Sequence, residues 1–543
     1  MIEPTAIAQV GAPGMLAGNA PVGPLLVALT TAILTLGLRG YPTAQRGLSI
    51  IGSGLYGLAV LYLAASVSAG GRLVYQVSDW PAPFGITLVA DALSLLMLGL
   101  TAVVALAAIA FSIRSIDRED QRLAYHPLFH LMVVGVTGSF LTGDLFNLFV
   151  WFEVMLMSSY VLVVFYSGPG ETRAALYYAV LNLLGSGVML LAIGGLYATT
   201  GTLNMADMAR RLADPAAFGI DPAPVLGLAA ILLTVFALKA GVVPFQFWVP
   251  AAYRAAPAPV TAMLAGVVKK VGVYAIIRLY FMVFAAAAVP VSLPFVGGGE
   301  FLSFFGPVLF VAASASVLLG GFAAVSQPDL EGVLAHSSIA QIGFILLPLA
   351  VAATVPDLRV LGVTAALVYT VNHGLAKSML YLVTGAVRSA TGSTLLADLG
   401  GLVEHDRVLS GAFLIGGLAL VGIPPLTGFF SKLLVLDIAA RAGSTLALTI
   451  AVGGAILTIA YVTRTWNAGF WGPPGERVLG ATREPALVGI TVALAASLLV
   501  FGVGFDPLVQ AAEAAAGAAL DIDGYVEAVG PDRFIPAEGG EAA

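Results

Sequence analysis

Run after run of this chain extends for about 20 mostly apolar residues, the length a helix needs to cross the hydrocarbon core of a bilayer. Fourteen such runs are present, at about 22–39, 47–70, 89–113, 125–142, 144–167, 172–199, 224–252, 257–284, 304–325, 332–353, 358–388, 408–440, 445–470 and 484–505. Composition agrees: 59% of the residues are hydrophobic and 10% charged, with a mean hydropathy of +0.98. A soluble domain carries roughly 25% charged and 45–50% apolar residues. The chain is therefore expected to be an all-α polytopic membrane protein with about 14 transmembrane helices.

Several function classes fall away. With no cysteine, the chain has no disulfide, thiolate metal site or thiol nucleophile. The net charge of −6 is small and no basic run is long enough for a nucleic-acid partner. No glycine-rich loop sits in a strand–helix unit, no His-x-x-His spacing suggests a metal, and no Ser–His–Asp set suggests a hydrolase. Neither enzyme activity, cofactor nor metal is expected. The first twenty residues lack the basic start of a signal peptide, so the N-terminus is expected to be retained.

Between the second and third runs, Arg72 to Leu88 alternates like a strand around Trp80-Pro81-Ala82-Pro83, which predicts a short surface hairpin. Residues 506–543 are acidic and rich in Ala and Gly, and read as a partly ordered tail outside the membrane. Two runs break helical rules. The seventh contains Lys239-Ala240-Gly241-Val242-Val243-Pro244, and the twelfth contains Gly422-Ile423-Pro424-Pro425. Proline frees backbone groups that lipid cannot satisfy, so such breaks need protein or water around them. Gly/Pro-interrupted helices at matching places in two halves point to a transporter built from inverted repeats. Spans 4–8 and 9–13 are the expected halves. The implied organisation is an N-terminal three-helix segment (1–123), two five-helix repeats (124–285 and 304–471), a last helix (484–505) and the tail (506–543).

Charge placement carries the functional signal. All five lysines (Lys239, Lys269, Lys270, Lys377 and Lys432) fall inside apolar runs, whereas the nineteen arginines read as loop or span-end residues. A buried lysine can lose its proton near physiological pH, and arginine cannot. Glu153, His336 and His373 also lie within runs. A central charge costs about 2.5–3.5 kcal/mol on insertion scales, so five lysines and a glutamate left charged and unpaired would cost roughly 15–20 kcal/mol. They must be paired, neutralised or hydrated, and intramembrane ionisable groups of this kind mark ion pathways. His373 and Lys377, four apart, share a helix face. Lys269 and Lys270 are adjacent and cannot both face one axis, so one of them reads as a snorkelling or inter-subunit residue. His126 and His130 read as interfacial, and Ser337 and Ser338 as hydration partners of His336.

The motifs resemble the antiporter-like subunits shared by respiratory complex I, membrane hydrogenases and Mrp-type Na+/H+ antiporters, from about 89 to 470. Asp144-Leu145-Phe146-Asn147 through Trp151-Phe152-Glu153 is similar to the family's fifth helix. Phe236-Ala237-Leu238-Lys239 with Pro244, Trp248, Pro250 and Pro257 is similar to its broken seventh. Lys270-Val271-Gly272-Val273-Tyr274 and Arg278 match the eighth-helix lysine motif, which favours Lys270 over Lys269. Gln327-Pro328-Asp329 through His336-Ser337-Ser338 and Gln341-Ile342-Gly343 resembles the tenth. Asn372-His373-Gly374-Leu375-Ala376-Lys377 resembles the eleventh, and Gly428-Phe429-Phe430-Ser431-Lys432 the twelfth. Trp80 to Ile86 ahead of Val89-Ala90-Asp91 resembles the branch formed by the D-type subunits of Mrp antiporters. The chain ends soon after its fourteenth run, without the extension of the larger A-type subunits. Lys432 stands where the complex I homologue nearest in size carries an acid.

The resemblance implies a mechanism and partners. Glu153 pairs with Lys239, which exchanges a proton with Lys270 through water, and His336, His373 and Lys377 carry it to Lys432 and an exit. Proton movement is coupled to Na+, Li+ or K+ moving the other way. The implied partners are a larger homologous antiporter-like subunit and small hydrophobic subunits in a bacterial cell membrane. A proton-pumping subunit of a complex I-like or hydrogenase redox complex is the alternative, and a non-conducting assembly scaffold a third reading.

Lys and Arg concentrate on the cytoplasmic side of membrane proteins. Loops 1–2, 3–4, 5–6, 7–8, 11–12 and 13–14 hold twelve arginines, and the opposite side seven, so both termini are expected outside. Cysteines placed near Arg118 and near Arg533 should therefore react with impermeant reagents from opposite sides, the tail reacting in intact cells. Reaction of the tail only after permeabilisation would reverse the orientation.

Overall fold

The computed structural model describes residues 18–287 and 300–531. Twelve of its helices are long and apolar enough to cross a membrane, which makes the chain a helical multi-pass membrane protein. In order, the principal helices are α1 Gly23–Gly37, α2 Pro42–Gly70, α3 Ala92–Ser115, α4 Arg118–Leu141, α5 Leu145–Val163, α6 Pro169–Thr200, α7 Met205–Ala213, α8 Pro222–Ala240, α9 Trp248–Ala255, α10 Ala258–Ala286, α11 Phe301–Ser326, α12 Leu330–Thr354, α13 Arg359–Thr391, α14 Arg407–Val421, α15 Thr427–Arg441, α16 Thr445–Phe470, α17 Pro485–Val503, α18 Phe505–Leu520 and α19 Ile522–Val529. Many begin on an Asx cap: Asp91, Asp144, Asp329 and Asp406 accept from the backbone N–H three residues on, at 2.6–3.0 Å.

α13 is the hub. It packs against α3, α10, α12, α14, α15, α17 and α18, and side chains from Gly362 to Thr384 are buried almost without interruption. A helix walled in this way never meets lipid, so it can carry Asn372, His373, Lys377 and Ser378 in mid-length. The outward faces of α2, α6 and α11 instead expose Leu58, Leu61, Leu184, Leu191, Val311 and Phe322, as a lipid-facing mantle does. The 358–388 run is thus one long polar-centred helix outside the twelve. The 408–440 run is two helices, α14 and α15, with 422–426 between them.

Both expected breaks are present, and both begin on a glycine in the left-handed region: Gly241 (φ +68°) after α8 and Gly422 (φ +90°) after α14. That conformation favours glycine because it has no Cβ. Protein groups satisfy the backbone that the first break frees. Trp248 Nε1 donates to Leu238 O at 2.8 Å, and Val243 N donates to Ser316 Oγ of α11 at 3.0 Å. At the second, α17 passes so close that a Cβ on Gly502 would overlap Pro425 O.

The hairpin also forms. Strands β1 Leu73–Gln76 and β2 Thr87–Ala90 pair antiparallel, Leu73 opposite Ala90 and Gln76 opposite Thr87. Two readings need correction, those of His126 and His130 and of Arg278. In the tail, residues 505–529 form α18 and α19, and α18 packs on α13 and α3, burying Ala512, Ala515, Ala516 and Ala519. Alanine is the best helix former, and its small side chain lets helices approach closely. The rest of the tail, with Arg533, lies outside the described residues. His126 and His130 are buried, not interfacial, and both bond Ser49 Oγ of α2, at 2.9 and 2.7 Å. Arg278 is not a span-end residue at the surface: it is 1% exposed and paired with Asp91 at 2.7 Å.

Glycine also sets the closest helix approaches. A Cβ on Gly428 would overlap the Ala419 carbonyl of α14, whereas one on Gly411 would meet nothing within 4 Å. Overpacking of this kind costs about 1–3 kcal/mol. Gly428→Ala should lower the thermal midpoint or membrane content of the protein, and Gly411→Ala should not, as measured by fluorescence-detected size exclusion after heating.

Candidate functional site, a buried lysine and histidine axis

All five lysines are buried: Lys239 is 3% exposed, Lys432 7%, and Lys269, Lys270 and Lys377 have no exposure at all. Serine hydroxyls from neighbouring helices contact Glu153, Lys239, His373 and Lys377.

At one end, Glu153 of α5 and Lys239 of α8 are joined through Ser186 of α6. The Ser186 hydroxyl donates to Glu153 Oε1 and accepts from Lys239 Nζ at 2.9 Å. Lys239 Nζ also donates to Asn182 O at 3.2 Å and stands 5.8 Å from the Phe152 ring centre. Lys239 occupies the last turn of α8, where helix carbonyls point at a cation and the macrodipole stabilises it. Glu153 is half-buried at the rim of the chain.

The middle is built where α10 crosses α12 and α13. A π-helical stretch, Leu264–Val268, immediately precedes the two lysines of α10; such bulges are frequent at functional sites. Lys270 Nζ bonds Ala265 O and meets His373 Nδ1 at 2.6 Å. The other ring nitrogen, Nε2, faces Ser338 Oγ at 3.4 Å. Lys269 points inward too, its Nζ 3.4 Å from Ser338 O and against the Gly241 break. The expectation that one of the pair snorkels or faces another subunit is therefore overturned: both ammonium groups reach the core, on separate contacts. One turn along α13, Lys377 Nζ donates to Leu334 O at 3.0 Å and to the Ser337 hydroxyl.

Ser337 and Ser338 thus serve Lys377 and His373 and not His336. His336 is half-buried, with Nδ1 at 3.0 Å from Gly332 O of its own helix, a turn or two from the Arg254–Asp329 ion pair (2.8 Å) at the end of α12. It stands aside from the lysine cluster.

Lys432 of α15 is separate again. Its Nζ has no hydrogen-bond partner among the described residues and lies 4.9 Å from the Phe344 ring centre, a cation–π arrangement. Its Cδ packs 3.1 Å from where a Cβ on Gly422 would sit. Phe344 stacks on Tyr369 at 5.5 Å between centres. The Tyr369 hydroxyl donates to Gln341 Oε1, and Gln341 Nε2 donates to Tyr461 OH at 3.0 Å. This polar bridge spans the stretch between Lys377 and Lys432.

Chemically, the arrangement is a set of proton donors and acceptors with hydroxyls interleaved. A hydroxyl both donates and accepts, whereas an ammonium only donates. An imidazole can receive a proton on one nitrogen and release the other from the opposite side. With Lys270 charged, His373 Nδ1 accepts and the ring proton sits on Nε2, aimed at Ser338.

Comparisons with known proteins bear on the family and the fold. Residues 142–458 match the family described as NADH:quinone oxidoreductase/Mrp antiporter, TM. The chain is 32% identical to the D-type subunit of the Na(+)/H(+) antiporter of Alkalihalophilus pseudofirmus, covering 87% of this chain and 91% of that one. It is 33% identical to the N-type subunit of the NADH-quinone oxidoreductase of Desulforudis audaxviator, over 89% and 93%. Its fold matches a chain of the Mrp complex from a Dietzia species with a TM-score of 0.82 and 28% identity, covering 95% and 99%. With more than half its length matched, the chain belongs to the NADH:quinone oxidoreductase/Mrp antiporter transmembrane family.

Proposed function

We propose that this chain is the proton-translocating subunit of a multisubunit antiporter that exchanges a monovalent cation, sodium first among them, for protons. The observation that carries the reading is the Lys270–His373 contact, fully buried and flanked by Lys269, Lys377 and two serines. Such a group of titratable side chains has no structural use that alanine and leucine would not serve better. In this reading the proton passes along Glu153, Ser186, Lys239, Lys270, His373 and Lys377 to Lys432. His336 joins from the α12 end, and the breaks at Gly241, Pro244, Gly422, Pro424 and Pro425 give the axis its access. The alternative scaffold role has no need of the axis.

The finer architecture belongs to the same proposal. Fourteen spans are counted once α13 and the α14–α15 pair are added to the twelve, and 124–285 and 304–471 are inverted five-helix units. The N-terminal three-helix segment (1–123), the last helix (484–505) and the segment after it (506–543) flank those units. The membrane is the bacterial plasma membrane, with both termini outside. Partners are a larger homologous subunit and small hydrophobic subunits, and the half-buried Glu153 at the rim is a place such a neighbour would cover. A second reading, a proton-pumping subunit of a redox complex, is favoured by the 33% identity to an NADH-quinone oxidoreductase subunit. Vesicles carrying the whole complex decide: dissipation of a pH gradient on adding Na+, Li+ or K+ supports the first, and dependence on a redox substrate the second.

Two mutant series test the axis. Glu153→Gln keeps the Ser186 hydrogen bond and removes the charge; nearly all cation-driven proton movement should disappear at normal complex content. Ser186→Ala keeps both charges and removes the bridge, and should slow exchange about tenfold. Full activity in both variants would take this end out of the relay.

Lysine and arginine separate charge from proton release, because a guanidinium does not deprotonate in proteins. Lys239→Arg and Lys432→Arg should assemble normally and lose antiport almost as fully as the alanine variants. If arginine supports near-wild-type exchange at either position, that lysine is an electrostatic strut.

A further inference from the structure

A cavity of about 360 Å³ opens on the arginine-rich face, between the end of α13 and the starts of α10 and α12. We propose that it is a proton inlet serving Lys377, with Glu331 as the group that collects protons at its mouth. The proposal rests on the relay described above and adds to it a route of access and residues outside it.

Two facing stripes build the inlet. On α13, Arg388, Thr384, Tyr381 and Lys377 follow at intervals of four, three and four, and so share one face. On α12, Glu331, Leu334 and Ser337 follow at intervals of three. The stripes meet at the bottom, where Lys377 Nζ bonds Leu334 O and the Ser337 hydroxyl. They meet at the top, where Arg388 pairs with Glu331 at 2.6 Å. Six residues of α12 separate Glu331 from Ser337, about 9 Å along the helix.

Polar side chains (Tyr253, Tyr381, Thr384, Glu331 and Arg388) are set into a wall that is otherwise largely apolar. Tyr253 of α9 and Tyr381 line the cavity with ring centres 5.5 Å apart. Each is about 1% exposed, yet neither hydroxyl has a hydrogen-bond partner among the described residues. Buried hydroxyls are nearly always satisfied, and here the cavity is the place from which water can do it. A water needs only about 10–15 Å³ of such space, so the cavity has room for several, with Tyr381, one turn from Lys377, in its wall. Glu331 is 6% exposed and held between Arg388 and Thr394. A carboxylate there accepts a proton from bulk water, the Arg388 side chain swings towards solvent (it is 48% exposed), and the proton passes by water and the tyrosine hydroxyls to the Lys377 amine. No bond other than O–H and N–H changes.

The chain has no cysteine, so Thr384→Cys puts a single thiol on the inlet wall. In vesicles carrying the whole complex, an impermeant cationic thiosulfonate should react with it from the arginine-rich face alone. Exchange in that preparation should then fall about tenfold relative to the same vesicles before reaction, a comparison that folding cannot distort. Glu331→Gln should slow exchange by a similar factor at unchanged complex content, and Glu331→Asp, still an acid, should recover most of it. A thiol that does not react from that face, exchange indifferent to the label, or a glutamine variant as fast as wild type would each overturn the inlet. Lys377→Arg, run alongside, separates the two readings. If it abolishes exchange while the label does not, the inlet falls and the relay stands; if it exchanges normally, the relay itself falls.

Discussion

Charge in a medium of low dielectric has to be surrounded, and the architecture follows from that one requirement. An uncompensated ion at the bilayer centre costs several kcal/mol, and this chain buries five lysines within its apolar runs. The response is to bury the middle of α13, Gly362 to Thr384, by packing seven helices around it. α10 beside it is buried from Pro259 to Phe284. The hydrophobic residues that a soluble protein would hide are pushed outwards, onto α2, α6 and α11. The fold is an apolar sleeve around a polar helix.

Backbone irregularity brings lysines into the core beside that helix. At Gly241 and Gly422 the chain turns through a left-handed residue, and a lysine packs beside each glycine: Lys269 Nζ 3.4 Å from where a Cβ on Gly241 would sit, and Lys432 Cδ 3.1 Å from one on Gly422. The π-helical stretch ahead of Lys269 and Lys270 works in the same direction, shifting the helical phase so that two adjacent residues find partners on two different helices, α12 and α13. Freed backbone groups inside a membrane protein are tolerated only where protein or water takes them up. Trp248 and Ser316 do so at the first break.

Much of this was legible in the chain. Long apolar runs announce helices because lipid leaves few alternatives, and lysine confined to those runs announces a buried axis because its cost is so high. Contacts between side chains on different helices were not legible. Ser337 and Ser338 sit next to His336 in sequence, so they read as its companions, but consecutive helical residues point about 100° apart and these two turn towards Lys377 and His373. Ser186, Gln341, Tyr369 and Tyr461 belong to residue types common in any membrane helix, and only the packing reveals that they bridge titratable groups. Arg278 looked like a span-end arginine since its partner, Asp91, is 187 residues away. The 505–529 segment looked like a tail because alanine has little hydrophobicity of its own, although its small size is what allows α18 to nest against α3 and α13.

In the proposed relay, the composition of the axis sets how charge would move. Two unit charges 4 Å apart repel by about 4 kcal/mol at an effective dielectric constant near 20, and Lys270 and His373 approach to 2.6 Å. In the proposed relay, a proton arriving at one is matched by a proton leaving the other, so occupancy of the centre is felt by both flanks. Neutral carriers can then be placed between charged ones without further cost, which is where the serines stand: Ser186 between Glu153 and Lys239, Ser338 beside His373, Ser337 beside Lys377. Lys432 differs in having an aromatic face and no polar partner among the described residues. In the proposed relay, a proton delivered there meets little to hold it, so the Lys432 end serves release and the Glu153 end capture.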